Sequence, residues 1–388
     1  MQPLRRWAIA AGLALAGCGA VGGAEDFSRL DQAQLRAAGP GLRVRWATEL
    51  APHFGGPYVP VERAAAALDS EHGRLYVGST QNVLWALRDN GRPLYSYQTE
   101  SSIEAEPTLD PDHDQLYVTT VRGVVHALHA SSGKLRWKFE TNAPISRPGV
   151  LSEDALYLVT DDDNVLALSR SDGSVLWRYK REPRAGLQIS GHAGLLLRHN
   201  RLFTGFTDGS IVALSPGDGH VLWLVDTTLD FADPTQTEKG LVDVDTTPVQ
   251  VGDLIYAASF LGGFYAIDAA HGAVQMRNPE LTGITTMTND EDALVLGSAK
   301  SGVVCLELPS LELRWKRSGL RGAPGSVSLR SHTVYVTETR GALLALSLAD
   351  GREQGRLQTE HGFAASPSLL DGRGFILGNS GTLYAFDY

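Results

Sequence analysis

A unit of about forty residues recurs along this chain, and that period constrains the fold more than any other feature of the sequence. Each unit contains one apolar strand pattern that can serve as an anchor, and the anchors lie 39 to 53 residues apart. The eight anchor positions are Tyr76, Tyr117, Tyr157, Phe203, Tyr256, Val295, Tyr335 and Ile376. A period near forty is typical of a propeller or a solenoid.

The order of residues inside one unit predicts strands. Residues 116–120 and 124–128 are apolar runs separated by a turn at Gly123, and a second turn at Gly133 leads into a third run that ends at Trp137. Short apolar runs bounded by glycine turns predict β-strands. A segment of small residues and proline precedes each unit and predicts a fourth strand, because proline is tolerated where a strand begins or lies at an edge. Four antiparallel strands per unit predict one propeller blade.

The two ends of the repeat region predict a closed ring. The last unit stops at Tyr388 without its outer strand, and residues 41–46 resemble the outer strand of the other units. An N-terminal strand that completes the last blade would leave no long exposed edge. Residues 41–388 divide into eight blades of about 43 residues. The sequence therefore predicts an all-β fold, an eight-bladed β-propeller with four-stranded antiparallel blades.

Large side chains recur at one position of the units and predict how the blades pack. The residues at this position are Trp46, Tyr95, Trp137, Trp177, Trp223, Met276 and Trp315. Such regularity favours packing between neighbouring blades over a stacking site for a ligand.

The N-terminus has the features of a bacterial lipoprotein signal. Arg5 and Arg6 precede an apolar stretch that is too short to span a bilayer and ends in Leu-Ala-Gly-Cys at Cys18. We expect a signal peptide over residues 1–17, lipid attachment at Cys18, a tether with a short helix (27–38) over residues 18–40, and the propeller over 41–388. The alternative is an ordinary signal peptide in which the cysteine occurs by chance. Gly19 stands where an aspartate would favour retention in the inner membrane, so we expect the periplasmic face of the outer membrane.

Charge and motifs exclude several function classes. A net charge of −10 argues against nucleic-acid binding, which needs clustered Lys and Arg. His126 and His129 are spaced to lie on opposite faces of a strand, and the acidic runs 110–114 and 161–163 are interpreted as solvated turns. Cys305 lies in an apolar run and is predicted to be a buried thiol. Nucleophile, haem, dinucleotide and phosphate-loop motifs are missing, so we predict no catalytic residues, no metal site and no cofactor.

The repeat resembles that of the propeller family named for pyrroloquinoline quinone. Quinone dehydrogenases of that kind carry a vicinal cysteine disulfide and a calcium site, whereas this chain has only Cys18 and Cys305. The lipoprotein signal, the eight units and the stretches 243–249, 255–257 and 264–268 resemble the BamB family of outer-membrane barrel assembly lipoproteins. The resemblance implies a non-catalytic scaffold that docks onto the POTRA domains of a BamA-like barrel protein, with unfolded outer-membrane proteins as further partners.

The resemblance also implies docking residues. The family's acidic pair matches Asp243 and Asp245, and its apolar positions match Leu187 and Ile189, whereas Ser190 stands where the family has arginine. Both segments precede the inner strands of consecutive blades, and the longest insertion, 227–242, lies beside the second. Equivalent positions of neighbouring blades share one face of a propeller, and long loops on a rigid scaffold often carry binding residues.

Three functions remain open from the sequence. The first is the docking scaffold, which could also use an exposed strand edge. The second is a quinone-dependent dehydrogenase, which the missing disulfide and ligands disfavour. The third is a lipid-anchored propeller that binds a small molecule or a polysaccharide in its channel.

Overall fold

The chain folds into a ring of eight β-sheets, one for each repeat unit. This computed structural model describes residues 42–51, 60–181, 192–230 and 242–388, together with the backbone of residues 36–38. The predicted signal peptide, Cys18, Leu187, Ile189 and Ser190 lie outside the described residues. The prediction of eight four-stranded antiparallel blades is confirmed.

The first four blades follow the chain from residue 67 to residue 226. The strands of blade 1 are β3 (Ala67–Asp69), β4 (Arg74–Gly78), β5 (Val83–Arg88) and β6 (Pro93–Gln98). The strands of blade 2 are β7 (Thr108–Asp110), β8 (Gln115–Thr119), β9 (Val124–His129) and β10 (Leu135–Glu140). The strands of blade 3 are β11 (Val150–Leu151), β12 (Ala155–Val159), β13 (Asn164–Ser169) and β14 (Val175–Lys180). The strands of blade 4 are β15 (Leu196–Arg198), β16 (Arg201–Gly205), β17 (Ser210–Leu214) and β18 (Val221–Asp226). A short 3-10 helix, η1 (Thr227–Asp230), follows β18.

The remaining blades complete the ring. The strands of blade 5 are β19 (Val249–Val251), β20 (Leu254–Ser259), β21 (Gly263–Asp268) and β22 (Val274–Asn278). The strands of blade 6 are β23 (Ile284–Asn289), β24 (Ala293–Ser298), β25 (Gly302–Glu307) and β26 (Leu313–Arg317). The strands of blade 7 are β27 (Pro324–Arg330), β28 (Thr333–Glu338), β29 (Ala342–Ser347), β30 (Glu353–Gln358) and an added fifth strand, β1 (Arg36–Ala38). The strands of blade 8 are β31 (Ser368–Leu370), β32 (Arg373–Leu377), β33 (Thr382–Asp387) and β2 (Arg43–Glu49).

Two N-terminal segments attach to the last blades. β2 pairs antiparallel with β33, so the predicted closure of the ring is confirmed. β1 pairs antiparallel with β30 at the outer edge of blade 7, with Ala37 opposite Leu357. The predicted helix over residues 27–38 is therefore wrong at its end. A strand forms there because the edge of β30 offers unpaired backbone groups that an extended segment can bond.

Strand register shows the equivalence of the units. In most blades the aromatic anchor of the second strand lies opposite an alanine of the third, as Tyr117 lies opposite Ala127. In blade 8 the residue opposite Ala385 is Phe375, so the true anchor is Phe375 and the assignment of Ile376 was wrong by one residue. An error of one residue selects the wrong side chain because neighbouring strand residues point to opposite faces.

The core lies between the blades. The buried apolar residues that the structure describes form eight clusters, and each cluster combines two adjacent blades. In one of them, Tyr117 and Trp137 of blade 2 pack with Leu156 and Leu158 of blade 3. The first strand of each blade is the innermost, as shown by the contacts of β3 with β7 and β31. The segments that enter these first strands therefore lie around the mouth of the central channel.

The recurring large side chains pack between blades, as predicted. All of them except Met276 donate a hydrogen bond to a backbone carbonyl of the next blade. The pairs are Trp46 with Asp89, Tyr95 with Ala130, Trp137 with Arg170, Trp177 with Pro216, Trp223 with Ala269 and Trp315 with Leu348. A buried indole or phenol usually finds such a partner, and these hydrogen bonds connect each blade to the next.

Candidate functional site

The predicted acidic pair lies in the segment 242–248, which enters the innermost strand of blade 5. The Val244 amide donates to the carbonyl of Phe206 in blade 4 (3.1 Å), and the carbonyl of Asp243 accepts from the Phe260 amide (2.8 Å). The Val244 side chain packs against Gly205, where an added Cβ would lie 2.1 Å from Val244 Cγ1. The segment is therefore held between the turns of blades 4 and 5.

Both members of the pair are buried. The exposed fractions of Asp243 and Asp245 are 2% and 4%. Their backbone position matches the prediction, but in this conformation neither carboxylate is accessible to a partner. A docking role for them remains a prediction, and it requires either a rearrangement or an indirect effect on the neighbouring surface.

The Asp245 carboxyl lies in an unusual environment. Both of its oxygens are buried and have no hydrogen-bond partner in the part of the chain that the structure describes. Burial, followed by repulsion from Asp243, raises the pKa of Asp245 to about 7, against the opposing effect of His192 and Arg147. A buried carboxylate without hydrogen bonds is costly, so the neutral acid persists up to about pH 7.

Three charged residues of blades 3 and 4 surround Asp245. Arg147 donates through Nε to the carbonyl of His192 and through Nη2 to the backbone carbonyl of Asp245 (3.3 Å). The His192 imidazole lies 3.7 Å from the Asp163 carboxylate. Burial lowers the pKa of His192, but the carboxylates of Asp163 and Asp161 outweigh this effect and the net pKa is raised. The imidazolium form of His192 is therefore more favourable than it is for a free histidine.

The sequence interpretation of residues 161–163 as solvated turns is wrong for Asp163. This residue is 1% exposed and accepts hydrogen bonds from the amide and hydroxyl of Thr207 in the next blade. Its positive φ of 61° is tolerated because Asp adopts the left-handed region more readily than most residues. Asp163 thus connects blades 3 and 4 rather than facing solvent.

Sequence reasoning missed Arg147, His192 and Glu106 as site residues. Glu106 and Arg147 each stand directly before the proline that leads into an innermost strand, and this repeated placement was the available signal. Water reaches the Glu106 side chain, yet the surrounding protein raises the pKa of its carboxyl to about 7. Glu106 therefore lies at the mouth of the central channel, where its side chain meets both solvent and the surrounding protein.

The other candidates from the sequence are separated from one another. His126 is fully buried and contacts Glu100 (2.9 Å), whereas His129 pairs with Asp114 (3.2 Å). No group of three or more His, Cys, Asp or Glu side chains that could hold a metal ion occurs among the described residues. Cys305 is buried as predicted, and burial raises the pKa of its thiol to about 11.

The outer strand of blade 4 is unusually apolar. Lys or Arg occupies one outward position in five of the outer strands, and these residues are Lys138, Arg178, Arg277, Lys316 and Arg356. The equivalent residue of β18 is Leu224, which is 41% exposed. Val221, Leu222 and, in η1, Leu229 are also exposed. Blade 4 therefore presents an apolar edge that lacks the Lys or Arg found at this position in five other outer strands.

The fold and the site define a closed eight-bladed propeller of the quinone-type repeat, with its clearest candidate site at the entry of blades 4 and 5. The family model described as outer membrane protein assembly factor BamB matches residues 111–317, which extend from blade 2 to blade 6. The chain belongs to this family.

Curated relatives with the same name show modest identity. The protein of Salmonella typhimurium is 29% identical over 154 residues, which cover 39% of each chain. The protein of Yersinia pestis is 25% identical over 266 residues, or 68% of this chain and 66% of that protein. The chain thus spans less than two thirds of the length of these two relatives. The Bordetella pertussis protein is 23% identical over 381 residues, which cover 94% of this chain and 92% of the relative.

Solved structures support the fold. BamB from Moraxella catarrhalis is similar with a TM-score of 0.76 and 20% identity, covering 89% of this chain and 100% of that chain. The quinohemoprotein alcohol dehydrogenase from Comamonas testosteroni has a TM-score of 0.66 and 13% identity, over 89% and 76% of the two chains. At these identities the likeness concerns the fold alone. No helix in the described ranges is long and apolar enough to cross a membrane.

Proposed function

We propose that the protein is a non-catalytic scaffold lipoprotein of the outer-membrane barrel assembly machinery. It is anchored through Cys18 at the periplasmic face of the outer membrane, docks onto the POTRA domains of a BamA-like protein, and assists the folding and insertion of outer-membrane proteins. The observation that carries the proposal is the family match over residues 111–317, because this range contains all four predicted docking residues.

The docking surface is proposed to lie at the entry of blades 4 and 5. Leu187 and Ile189 precede the described part of the entry to blade 4, and Asp243 and Asp245 lie in the entry to blade 5. The apolar edge of β18 belongs to blade 4 as well. Protein interfaces typically combine an apolar centre with a polar rim.

A cross-linked pulldown from envelope membranes tests the proposal. We expect wild-type protein to capture a POTRA-bearing barrel protein, and the double variant Leu187→Asp, Ile189→Asp to lose it. The matched control is Leu313→Asp, which changes a leucine that is 61% exposed on blade 6. The control should retain capture. Absence of the barrel protein from the wild-type sample would refute docking, as would its equal loss from the control.

Two further measurements address the remaining parts of the proposal. Cys18→Ala should abolish incorporation of radiolabelled palmitate and release the protein from the membrane fraction. Turnover of an alcohol by the purified protein with added quinone and calcium would contradict the non-catalytic assignment. We expect no turnover.

A further inference from the structure

Charge is distributed unevenly around the ring. Residues 201–312, which contain most of blade 4, blade 5 and the first three strands of blade 6, carry 16 Asp or Glu and 4 Lys or Arg, a net charge of −12. Residues 313–388, which contain the outer strand of blade 6, blade 7 and three strands of blade 8, carry 9 Lys or Arg and 6 Asp or Glu, a net charge of +3. An acidic protein therefore has one basic side.

The positive charge is concentrated on the outer strands of blades 6, 7 and 8. The strands β26, β30 and β2 carry six cations and two glutamates, and one of these, Glu49, lies at the end of β2 remote from Arg43. The outer strands of blades 4 and 5 carry only one cation and one carboxylate. We call the surface of the six cations the basic rim, and they are Arg43, Arg45, Arg314, Lys316, Arg317 and Arg356.

Part of the positive charge on the basic rim is not neutralised. Arg317 and Arg356 both bind Glu353, at 2.7 and 2.6 Å, so one carboxylate serves two guanidinium groups. Arg43 and Lys316 are exposed and have no ion-pair partner in the ranges that the structure describes. The other two cations of the rim are each paired with one carboxylate. The rim therefore keeps positive charge that an anionic surface can neutralise.

Protection of strand edges does not account for the basic rim. A cation on an outer strand discourages pairing with another chain, and the outer strands of blades 1 to 5 carry one cation per strand on average. The outer strands of blades 6 to 8 carry twice that density. In addition, β30 already pairs with β1 at its outer edge, so it needs less protection than the others.

The segment that leads from the predicted lipid anchor joins the ring beside the basic rim. Seventeen residues separate Cys18 from Arg36, where β1 begins to pair with β30. Fully extended, this length of chain reaches at most about 60 Å, and a domain of this size measures about 50 Å across. The tether therefore keeps blade 7 near the bilayer, but its length alone does not determine which surface faces the lipid.

We propose that the basic rim binds anionic phospholipid headgroups and holds the ring with blades 6 to 8 against the membrane. Charges act over about 8 Å at physiological salt, so the local charge of the rim matters more than the net charge of the protein. Clustered Lys and Arg next to a membrane anchor favour an anionic lipid surface. The inference rests on the anchor at Cys18, which is part of the proposed function, and not on docking to a partner.

This orientation leaves the proposed docking surface accessible. Blade 8 contacts blade 1 and the blades follow one another around the ring, so blade 4 lies opposite blade 8. The acidic blades 4 and 5 are repelled by anionic lipid and face away from the bilayer.

Resonance energy transfer to a headgroup-labelled lipid tests the orientation. The acylated protein is reconstituted in vesicles of phosphatidylethanolamine and phosphatidylglycerol, with a donor dye on Gln354→Cys of blade 7 or Leu176→Cys of blade 3. These exposed positions are equivalent in their blades and lie on opposite sides of the ring, and Cys305 is too buried to be labelled. We expect transfer at least about twofold higher from blade 7, because the two dyes are about 50 Å apart. Equal transfer from the two positions would overturn the proposal.

Neutral lipid separates the effect of charge from that of the tether. With phosphatidylcholine in place of phosphatidylglycerol, or in the variant Arg43→Glu, Lys316→Glu, the difference between the two dyes should fall by about half or more. The matched control is Arg136→Glu, Lys138→Glu, which reverses two exposed cations of the outer strand of blade 2 and should keep the difference. A difference that persists in neutral vesicles would show that the tether alone orients the ring, which contradicts lipid binding by the rim. The neutral-lipid measurement uses the unaltered rim and does not depend on the folding of any charge variant.

Flotation and pulldown distinguish this inference from the proposed function. Acylated protein should float with both kinds of vesicle, and failure to float would refute the anchor and this orientation with it. Arg43→Glu, Lys316→Glu should still capture the POTRA-bearing barrel protein from envelope membranes. Loss of capture with unchanged energy transfer would assign the rim to a protein contact and overturn lipid binding. Absence of capture by the wild type, with the expected energy transfer, would refute docking and leave the membrane-facing rim.

Discussion

The indole Nε1 of Trp137 in blade 2 donates a 3.0 Å hydrogen bond to the backbone carbonyl of Arg170 in blade 3. The same indole ring packs on Gly173, where an added Cβ would lie 2.5 Å from Trp137 Cε3. The tryptophan therefore binds the next blade through one hydrogen bond and one glycine contact. Related pairs, such as Trp177 with Gly219, recur around the ring.

Alanine substitutions at three glycines should separate two effects on stability, the strain of a positive φ and the clash with the tryptophan ring. Gly173 combines a φ of +76° with the close ring, Gly319 has a φ of +78° with no described atom within 4 Å of an added Cβ, and Gly217 has neither constraint. We expect alanine to lower the free energy of unfolding most at Gly173, by about 2–4 kcal/mol, and by about 1 kcal/mol at Gly319. Gly217→Ala should be neutral or slightly stabilising. Urea unfolding measures all three, and an equal effect at Gly173 and Gly319 would show that the ring contact is unimportant.

Replacing tryptophan by phenylalanine should test the hydrogen bond itself. Trp137→Phe leaves the Arg170 carbonyl without its donor and should cost about 1–2 kcal/mol of unfolding free energy. Trp85 is the matched control, because its Nε1 is buried with no hydrogen-bond partner among the residues described. Trp85→Phe should cost less than Trp137→Phe in thermal or urea unfolding. The opposite order would contradict the role assigned to the bond between blades.

Protonation of Asp245 and His192 should make the free energy of unfolding depend on pH. The pKa of Asp245 in the folded protein is about 7, above its value in the unfolded chain, so the folded state holds this proton more tightly and stability falls as pH rises from about 4 to 7. The raised pKa of His192 acts in the same direction, because its contribution is lost as pH rises through that value. Asp245→Asn should raise the unfolding free energy at pH 8 by about 2 kcal/mol and have a smaller effect near pH 5. Chemical denaturation at both pH values checks this.

The control for that experiment is Glu360→Gln, which neutralises a carboxylate whose side chain is 79% exposed. It should change stability by less than about 0.5 kcal/mol at either pH. A wild-type protein that is more stable at pH 8 than at pH 6, or an Asp245→Asn variant that is less stable at pH 8, would contradict the assigned direction.

A charge on the apolar edge of blade 4 should improve solubility. Leu224→Lys places in β18 the kind of residue that five other outer strands carry at this position, and we expect less self-association at high concentration with little change in unfolding midpoint. Leu313→Lys is the matched control, because β26 already has Lys316. Sedimentation velocity over a range of concentrations gives the comparison. An equal effect of the two variants would show that the apolar edge of β18 does not promote self-association.

Most of the architecture could be predicted because the repeat is local. Each unit carries its own strands, glycine turns and large side chain, so the sequence alone determined the number of blades, their four strands and the closure by β2. The spacing of Trp137 and its equivalents also determined that these side chains pack between blades, since the same position must meet the same surface in every unit.

The site depended on tertiary structure. Asp163, Arg147, His192 and Asp245 come from three blades and are separated by up to 98 residues, yet the ring brings them into one buried seam. Sequence spacing placed Asp245 correctly before its strand, but solvation is not encoded in spacing, and the turns of blades 4 and 5 bury it. The strand β1 was likewise decided by the open edge of β30, because a three-residue segment forms a strand only when a partner edge supplies its hydrogen bonds.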